Sequence, residues 1–231
     1  MSKAGRRFIP IEERVPLLAG EGWHRTLRCT VESLLGFGLV RAVVKKAGTL
    51  VKRGGKSAFE ALIEVMGFEV RAAGLPEAIP GEGPLVVIAN HPFGGADAVV
   101  LPALVLRVRP DVKVLGNNEA LAIPGMDRHV IPLEIMGGKD AVRRNAGMLR
   151  EALAHVRSGG VLVVFPAGAV AHWQWSSARV EDPRWPAHTA RLVKKSGADV
   201  LPVWFSGRNG PLFQLLGALH PLLRSALLPR A

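Results

Sequence analysis

The hydrophobic positions of this chain change rhythm along its length. Between residues 31 and 66, apolar side chains recur at helical spacing among basic ones, which predicts one or two helices broken near Arg53-Gly54-Gly55. "GFEVRAAG" alternates and reads as a short strand, and "GLPEAIPGEGP" (74–84) as a proline- and glycine-rich turn region. Beyond it, short continuous apolar runs alternate with longer periodic ones. "LVVIAN", "VKVLGN", "HVIPLEI", "VLVVFP" and "VLPVWF" predict strands. "ADAVVLPALVLRV", "GKDAVRRNAGMLREALAHVRSGG" and "PAHTARLVKKSG" predict helices. The second is the clearest, with Val142, Met148, Leu149, Leu153 and Val156 on one side. Strands that are apolar throughout need cover on both faces. The expected fold is α/β: a mixed, mostly parallel sheet flanked by helices on both faces, behind an N-terminal helical segment. Residues 1–66 are expected to form that helical, membrane-contacting segment, and residues 67–231 the α/β unit.

Composition narrows this picture. The 231 residues, 48% of them hydrophobic, suffice for one well-filled core. The single cysteine, Cys29, cannot form an internal disulfide, so a reducing compartment is expected, with Cys29 a buried thiol. Glu12 and Glu13 fall where a secretion signal would have its apolar core, and no run reaches the roughly 18 apolar residues of a membrane span. The chain is therefore expected to be soluble or peripheral.

Net charge is +11, with a pI near 10.8. Nucleic acid, an anionic membrane surface or an acidic carrier protein would each suit that charge, which also serves solubility alone. From Ser33 to Phe59 there is no acid, while Arg41, Lys45, Lys46, Lys52, Arg53 and Lys56 alternate with apolar residues. This is the make-up of a helix in a membrane interface, and equally of a core helix with a solvated basic face. Nucleic-acid binding is disfavoured: the chain has no tyrosine and no aromatic-plus-basic recognition motif.

The chemistry gathers where strands end, because ligands of open α/β sheets collect at the carboxyl ends. Asn90-His91, Phe165-Pro166 and Ser206-Gly207-Arg208-Asn209 all fall there. His91 leaves its strand directly, and Pro92 biases it toward extended geometry. Gly94 and Gly95 permit a tight reversal that would bring Asp97, in the first turn of the next helix, back toward the ring. A carboxylate there would orient the imidazole as a base. The plain alternative is a histidine capping a turn and an aspartate capping a helix. No Gly-x-Ser-x-Gly nucleophile elbow occurs, so a proton would be taken from a substrate hydroxyl.

"NHPFGGAD", "VFPAGAV" and "VLPVWFSGRN", in that order over roughly residues 67–229, resemble the glycerolipid (lysophospholipid) acyltransferase family, in its hemolysin-like or ornithine-lipid acyltransferase branch. The resemblance implies a general base at His91 oriented by Asp97, five residues intervening where the family commonly has four. It implies a lysolipid acceptor and an acyl thioester donor, acyl-CoA or an acyl-carrier protein, as co-substrate. No bound cofactor and no metal are required. Substrate contacts are expected at Asn90, Phe93, Gly94, Gly95, Phe165, Pro166, Gly168, Arg208 and Asn209, with oxyanion donors near Gly94, Gly95 or Gly168. The expected place is cytoplasmic, peripheral on the inner membrane.

The chain departs from the family where Phe-Pro-Glu-Gly is common: Ala167 stands at the acid's place and Ala169 follows. An arginine usual on the third strand is missing from "HVIPLEIMGG", which leaves Arg208 as the best anion ligand. These losses keep open a second reading, a membrane-docking or lipid-binding module with its chemistry impaired. "RGGKS" (53–57) lacks the first glycine of a phosphate loop, and the remaining histidines show no metal spacing. Glu134, at the end of "HVIPLE", is a candidate for the same rim, with a surface strand end the favoured reading. "HWQWSSARVEDPRW" (172–185) holds three of the five tryptophans and reads as a loop that is a lid, an interfacial anchor or core filling. The end at "LLPRA" is expected to shorten the family's usual C-terminus.

Overall fold

The computed structural model describes residues 37–134 and 139–219 of the chain. Cys29, most of the expected N-terminal segment and the C-terminal end lie outside the described residues.

Two helices come first. α1 (Phe37–Arg53) stops at Gly54-Gly55, and α2 (Ala58–Met66) follows. Ser57 begins α2 with a reciprocal cap: its hydroxyl accepts from Glu60 N–H at 3.2 Å, and its own N–H donates to the Glu60 carboxylate at 2.9 Å. α1 packs on α2, and Val43, Ala47, Leu50 and Val51 join the core. These apolar positions of α1 therefore face protein, while Leu39, Arg41, Lys45, Lys46, Lys52 and Arg53 stay exposed. "GFEVRAAG" forms no strand. Its alternation is real, with Phe68 and Val70 half-buried and Glu69 and Arg71 exposed, but no neighbouring strand bonds to it.

The α/β unit contains β1 (Leu85–Ala89), α3 (Gly95–Leu106), β2 (Val112–Asn117), β3 (Val130–Leu133), α4 (Lys139–Arg157) and β4 (Val161–Val164). After these come β5 (His172–Gln174), β6 (Arg179–Glu181), α5 (Ala187–Ser196), β7 (Asp199–Val203) and α6 (Pro211–Leu219). Five strands form one sheet in the order β3-β2-β4-β1-β7, every pair parallel. β5 and β6 pair antiparallel as a separate hairpin, so the tryptophan-rich stretch is not simply a loop.

Strand alternation builds the two core layers. Leu85, Val87 and Ala89 of β1 join Val112, Val114, Val161 and Val163 under α1, α2 and α3. Val86, Leu162, Val164 and Ile131 point the other way, under Ala152 and Val156 of α4 and Leu192 of α5. The helices that follow β1 and β4 thus lie on opposite faces of neighbouring strands. A crevice opens between such strands at their carboxyl ends. Among the described residues β7 is the outer strand beside β1, and Val200 and Pro202 on it are exposed.

At the amino ends of the strands, the buried Arg109 fastens three segments. Its guanidinium donates to both Asp111 oxygens (2.9 and 2.7 Å) and to the carbonyls of Pro80 (3.2 Å), Gly83 (3.1 Å) and Gly159 (2.6 Å). The hydrogen bond from Arg109 holds the Asp111 carboxyl below its usual range, against the opposing effect of burial. That stabilisation is complete above the ordinary aspartate range and is lost as pH falls through the lower folded value. Asp111→Asn is therefore expected to lower the unfolding temperature by a constant amount above about pH 5, with the gap to wild type closing below about pH 4. Melting curves that stay parallel across this range contradict the assignment.

Candidate functional site

Three loops meet at the crevice: 90–94 after β1, 165–171 after β4, and 204–209 after β7. Pairing of their parent strands places them side by side. Asn90 extends the β1–β7 ladder with its side chain, accepting from Phe205 N–H at 2.7 Å and donating to Phe205 C=O at 2.8 Å. Its amide is thus committed to bracing two loops.

His91 comes next and is partly open, its side chain 16% exposed. Its ring lies 4.4 Å from the Phe165 ring, which brings the first two motifs into contact. Its Nδ1 is 3.2 Å from Asp97 Oδ2, a close approach that is not aligned as a formal hydrogen bond. The same Oδ2 accepts the N–H groups of Phe93 (2.8 Å) and Gly94 (3.0 Å). Asp97 is buried in the first turn of α3, where the helix dipole favours a negative charge. Gly94 makes the reversal with φ +78° and ψ −104°, a conformation that only glycine adopts readily. Gly95 already belongs to the helix.

These bonds revise the oxyanion expectation. Gly94 N–H is occupied by Asp97, and Gly168 N–H donates to Phe165 C=O at 3.1 Å. Gly95 N–H, at the first position of α3, has no acceptor within its helix and is the remaining donor of the three. Pro166 is buried, while Ala167 and Ala169 are half-buried, so that turn carries no carboxylate.

The third loop leans on the first. Gly207 has φ +107°, and a Cβ there would lie 2.7 Å from Phe93 Cζ. Arg208 is exposed, and no acid pairs with it among the described residues. Asn209 is buried, its Nδ2 without a partner among them. Its carbonyl accepts from Gln214 of α6, whose Oε1 in turn accepts from Trp173 N–H at 3.0 Å. Glu134 lies elsewhere. It follows β3 at the far edge of the sheet, where Arg144 donates to both its oxygens at 2.6 Å and holds the carboxyl below its usual range.

Asp182 joins the site from the end of the β5–β6 hairpin. Its Oδ1 accepts His91 N–H at 3.1 Å and its Oδ2 accepts the Trp185 indole N–H at 3.0 Å. Asp-Pro at 182–183 marks a turn in the sequence, but nothing local signals a bond across 91 positions.

A sequence model of the family described as "Acyltransferase" matches residues 70–206, the span that contains all three loops up to Ser206. The chain belongs to the acyltransferase family. It is similar to the "Lyso-glycine lipid O-acyltransferase" of Phocaeicola vulgatus, 28% identical over 155 residues, which are 67% of this chain and 53% of that protein. The protein of the same name from Bacteroides thetaiotaomicron is also 28% identical, over 67% of this chain and 54% of its own length. The acyltransferase chain thus spans about half the length of these curated relatives.

Among its described residues, no three His, Cys, Asp or Glu side chains gather as a metal site would require. No helix among them is long and apolar enough to cross a membrane.

The contact between Gly207 and Phe93 yields a direct test. Gly207→Ala is expected to destabilise the folded state by about 1–3 kcal/mol, through its positive φ and displacement of the ring. In a Phe93→Ala background the steric part disappears, so chemical denaturation should show a smaller loss there. Equal losses in both backgrounds contradict the contact.

Proposed function

We propose that the chain transfers a fatty acyl group from an acyl thioester to the hydroxyl of a lysolipid. The reading rests above all on the 3.2 Å approach of Asp97 to His91 at the carboxyl end of β1, in a chain of the acyltransferase family. His91 is the general base. Asp97 sets the ring's orientation and stabilises the imidazolium that forms. The acceptor hydroxyl gives its proton to His91 as its oxygen bonds to the thioester carbonyl carbon. The tetrahedral oxyanion then collapses, the carbon–sulfur bond breaks, and the imidazolium returns the proton to the departing thiolate. Gly95 N–H, at the amino end of α3, is the donor for the oxyanion.

The names of the two relatives favour an acceptor with an amino-acid headgroup over lysophosphatidic acid. Arg208 is the side chain for that headgroup's carboxylate, with the Asn209 amide behind it. The donor is acyl-CoA or an acyl-carrier protein; the net charge of +11 suits the acidic carrier. The same charge suits peripheral attachment to an anionic membrane on the cytoplasmic side, with the exposed basic residues of α1 toward lipid phosphates.

A second reading is a lipid-surface module without chemistry, favoured by the absence of an acid at Ala167 and Ala169 and by the exposure of Trp175 and Trp204. One experiment separates the two. The protein is incubated with palmitoyl-CoA or a palmitoyl-carrier protein, and with lyso-glycine lipid or lysophosphatidic acid, and the lipids are read by mass spectrometry. Wild type is expected to form the diacyl product. His91→Ala should reduce it by about 10²-fold or more while binding to anionic liposomes persists. Liposome binding with no transfer from either thioester decides for the module.

A further inference from the structure

We propose that Asp182 is a positioning residue for His91; the inference rests on the acyl-transfer reading above. His91 is tied at both backbone groups to the base of the β5–β6 hairpin. Its carbonyl accepts from Ala171 N–H at 2.8 Å, immediately before β5, and its N–H donates to Asp182 at 3.1 Å, immediately after β6. Asp97 governs the ring, whereas Asp182 governs the backbone from which the ring hangs. A carboxylate acceptor makes this bond charge-assisted and stronger than a carbonyl would.

The other oxygen of Asp182 is held by the Trp185 indole at 3.0 Å. Trp185 in turn borders an apolar groove with Ile88, Val200, Pro202 and Trp204. Ile88 belongs to the sheet face under α4 and α5, while Ala89 belongs to the α3 face. The His91 ring meets Phe165, which packs with the α3 face, so it and Ile88 of the groove lie on opposite faces of the sheet. Asp182 thus joins the two faces at their shared rim. It fixes the position of the base without contacting the substrate itself. Misplacing a catalytic group by about 1 Å costs on the order of 10²-fold in rate, so a lost backbone tie should be visible in turnover.

The test compares wild type, Asp182→Ala, Asp182→Asn and His91→Ala, with palmitoyl-CoA as donor and lyso-glycine lipid as acceptor. Asp182→Ala is expected to lower kcat by about 10- to 100-fold while KM for the acceptor changes by less than about twofold. Asp182→Asn keeps an oxygen for the His91 N–H and should stay within about fivefold of wild type. Hydrogen exchange reads the contact independently of turnover. The His91 amide should be protected in wild type and in Asp182→Asn, and exposed to exchange in Asp182→Ala. Wild-type kcat in Asp182→Ala, no recovery in Asp182→Asn, or a loss confined to KM overturns the proposal. If Asp182→Ala does not fold, a His91 amide that exchanges freely in wild type does the same. Wild type that transfers nothing from this donor, nor from a palmitoyl-carrier protein, sinks the acyl-transfer reading itself. Transfer by wild type matched by Asp182→Ala sinks the role of Asp182 alone.

Discussion

One carboxylate oxygen organises the site. Asp97 Oδ2 collects the N–H groups of Phe93 and Gly94 and lies 3.2 Å from the His91 ring. A buried carboxylate is costly unless hydrogen-bonded, so the loop has little freedom to abandon it. Chain reversal and the start of α3 are therefore consequences of one interaction. Gly94 is required because the backbone must turn back on itself to bring two amides to a single atom.

Around that atom, the neighbouring strands act as splints. The Asn90 side chain continues the β1–β7 ladder where regular pairing has ended. Phe93 fills the space that Gly207 leaves beside it. Phe165 lays its ring against His91. Each of these residues is the first or second beyond a strand, or belongs to a loop directly attached to one, so the rigidity of the sheet reaches the site over very short spans. Arg109 performs a comparable task at the opposite end, joining the turns before β1 and before β4.

Much of this was legible from residues alone. Short apolar runs marked all five strands of the sheet; β4, buried at every position, has no polar side to betray its period, whereas β7 stays apolar although Val200 and Pro202 are exposed. His91 and Asp97 could be paired because they are close in sequence and separated by glycines. "GFEVRAAG" misled for a physical reason: alternation records half-burial, and half-burial does not require a strand partner. The β5–β6 hairpin was concealed by its short strands and few apolar residues. Asp182 was illegible as a site residue, since it acts on a loop about a hundred positions away; Gly207 was placed at the rim, but its contact with Phe93 was illegible for the same reason. Asn90 was read as a substrate contact because sequence reveals that an amide is at the rim, not that a backbone neighbour already occupies it.

The outer strand β7 has a property of its own. Asp199 N–H donates to Pro84 and Phe205 N–H to Asn90, so odd-numbered amides of this segment point inward toward β1. The even-numbered positions 200, 202 and 204 point outward, and the central one is proline, which has no N–H. An incoming strand would find its ladder broken in the middle. Among the described residues, the edge flanked by Val200 and Trp204 is in this way guarded against pairing with a further copy of itself.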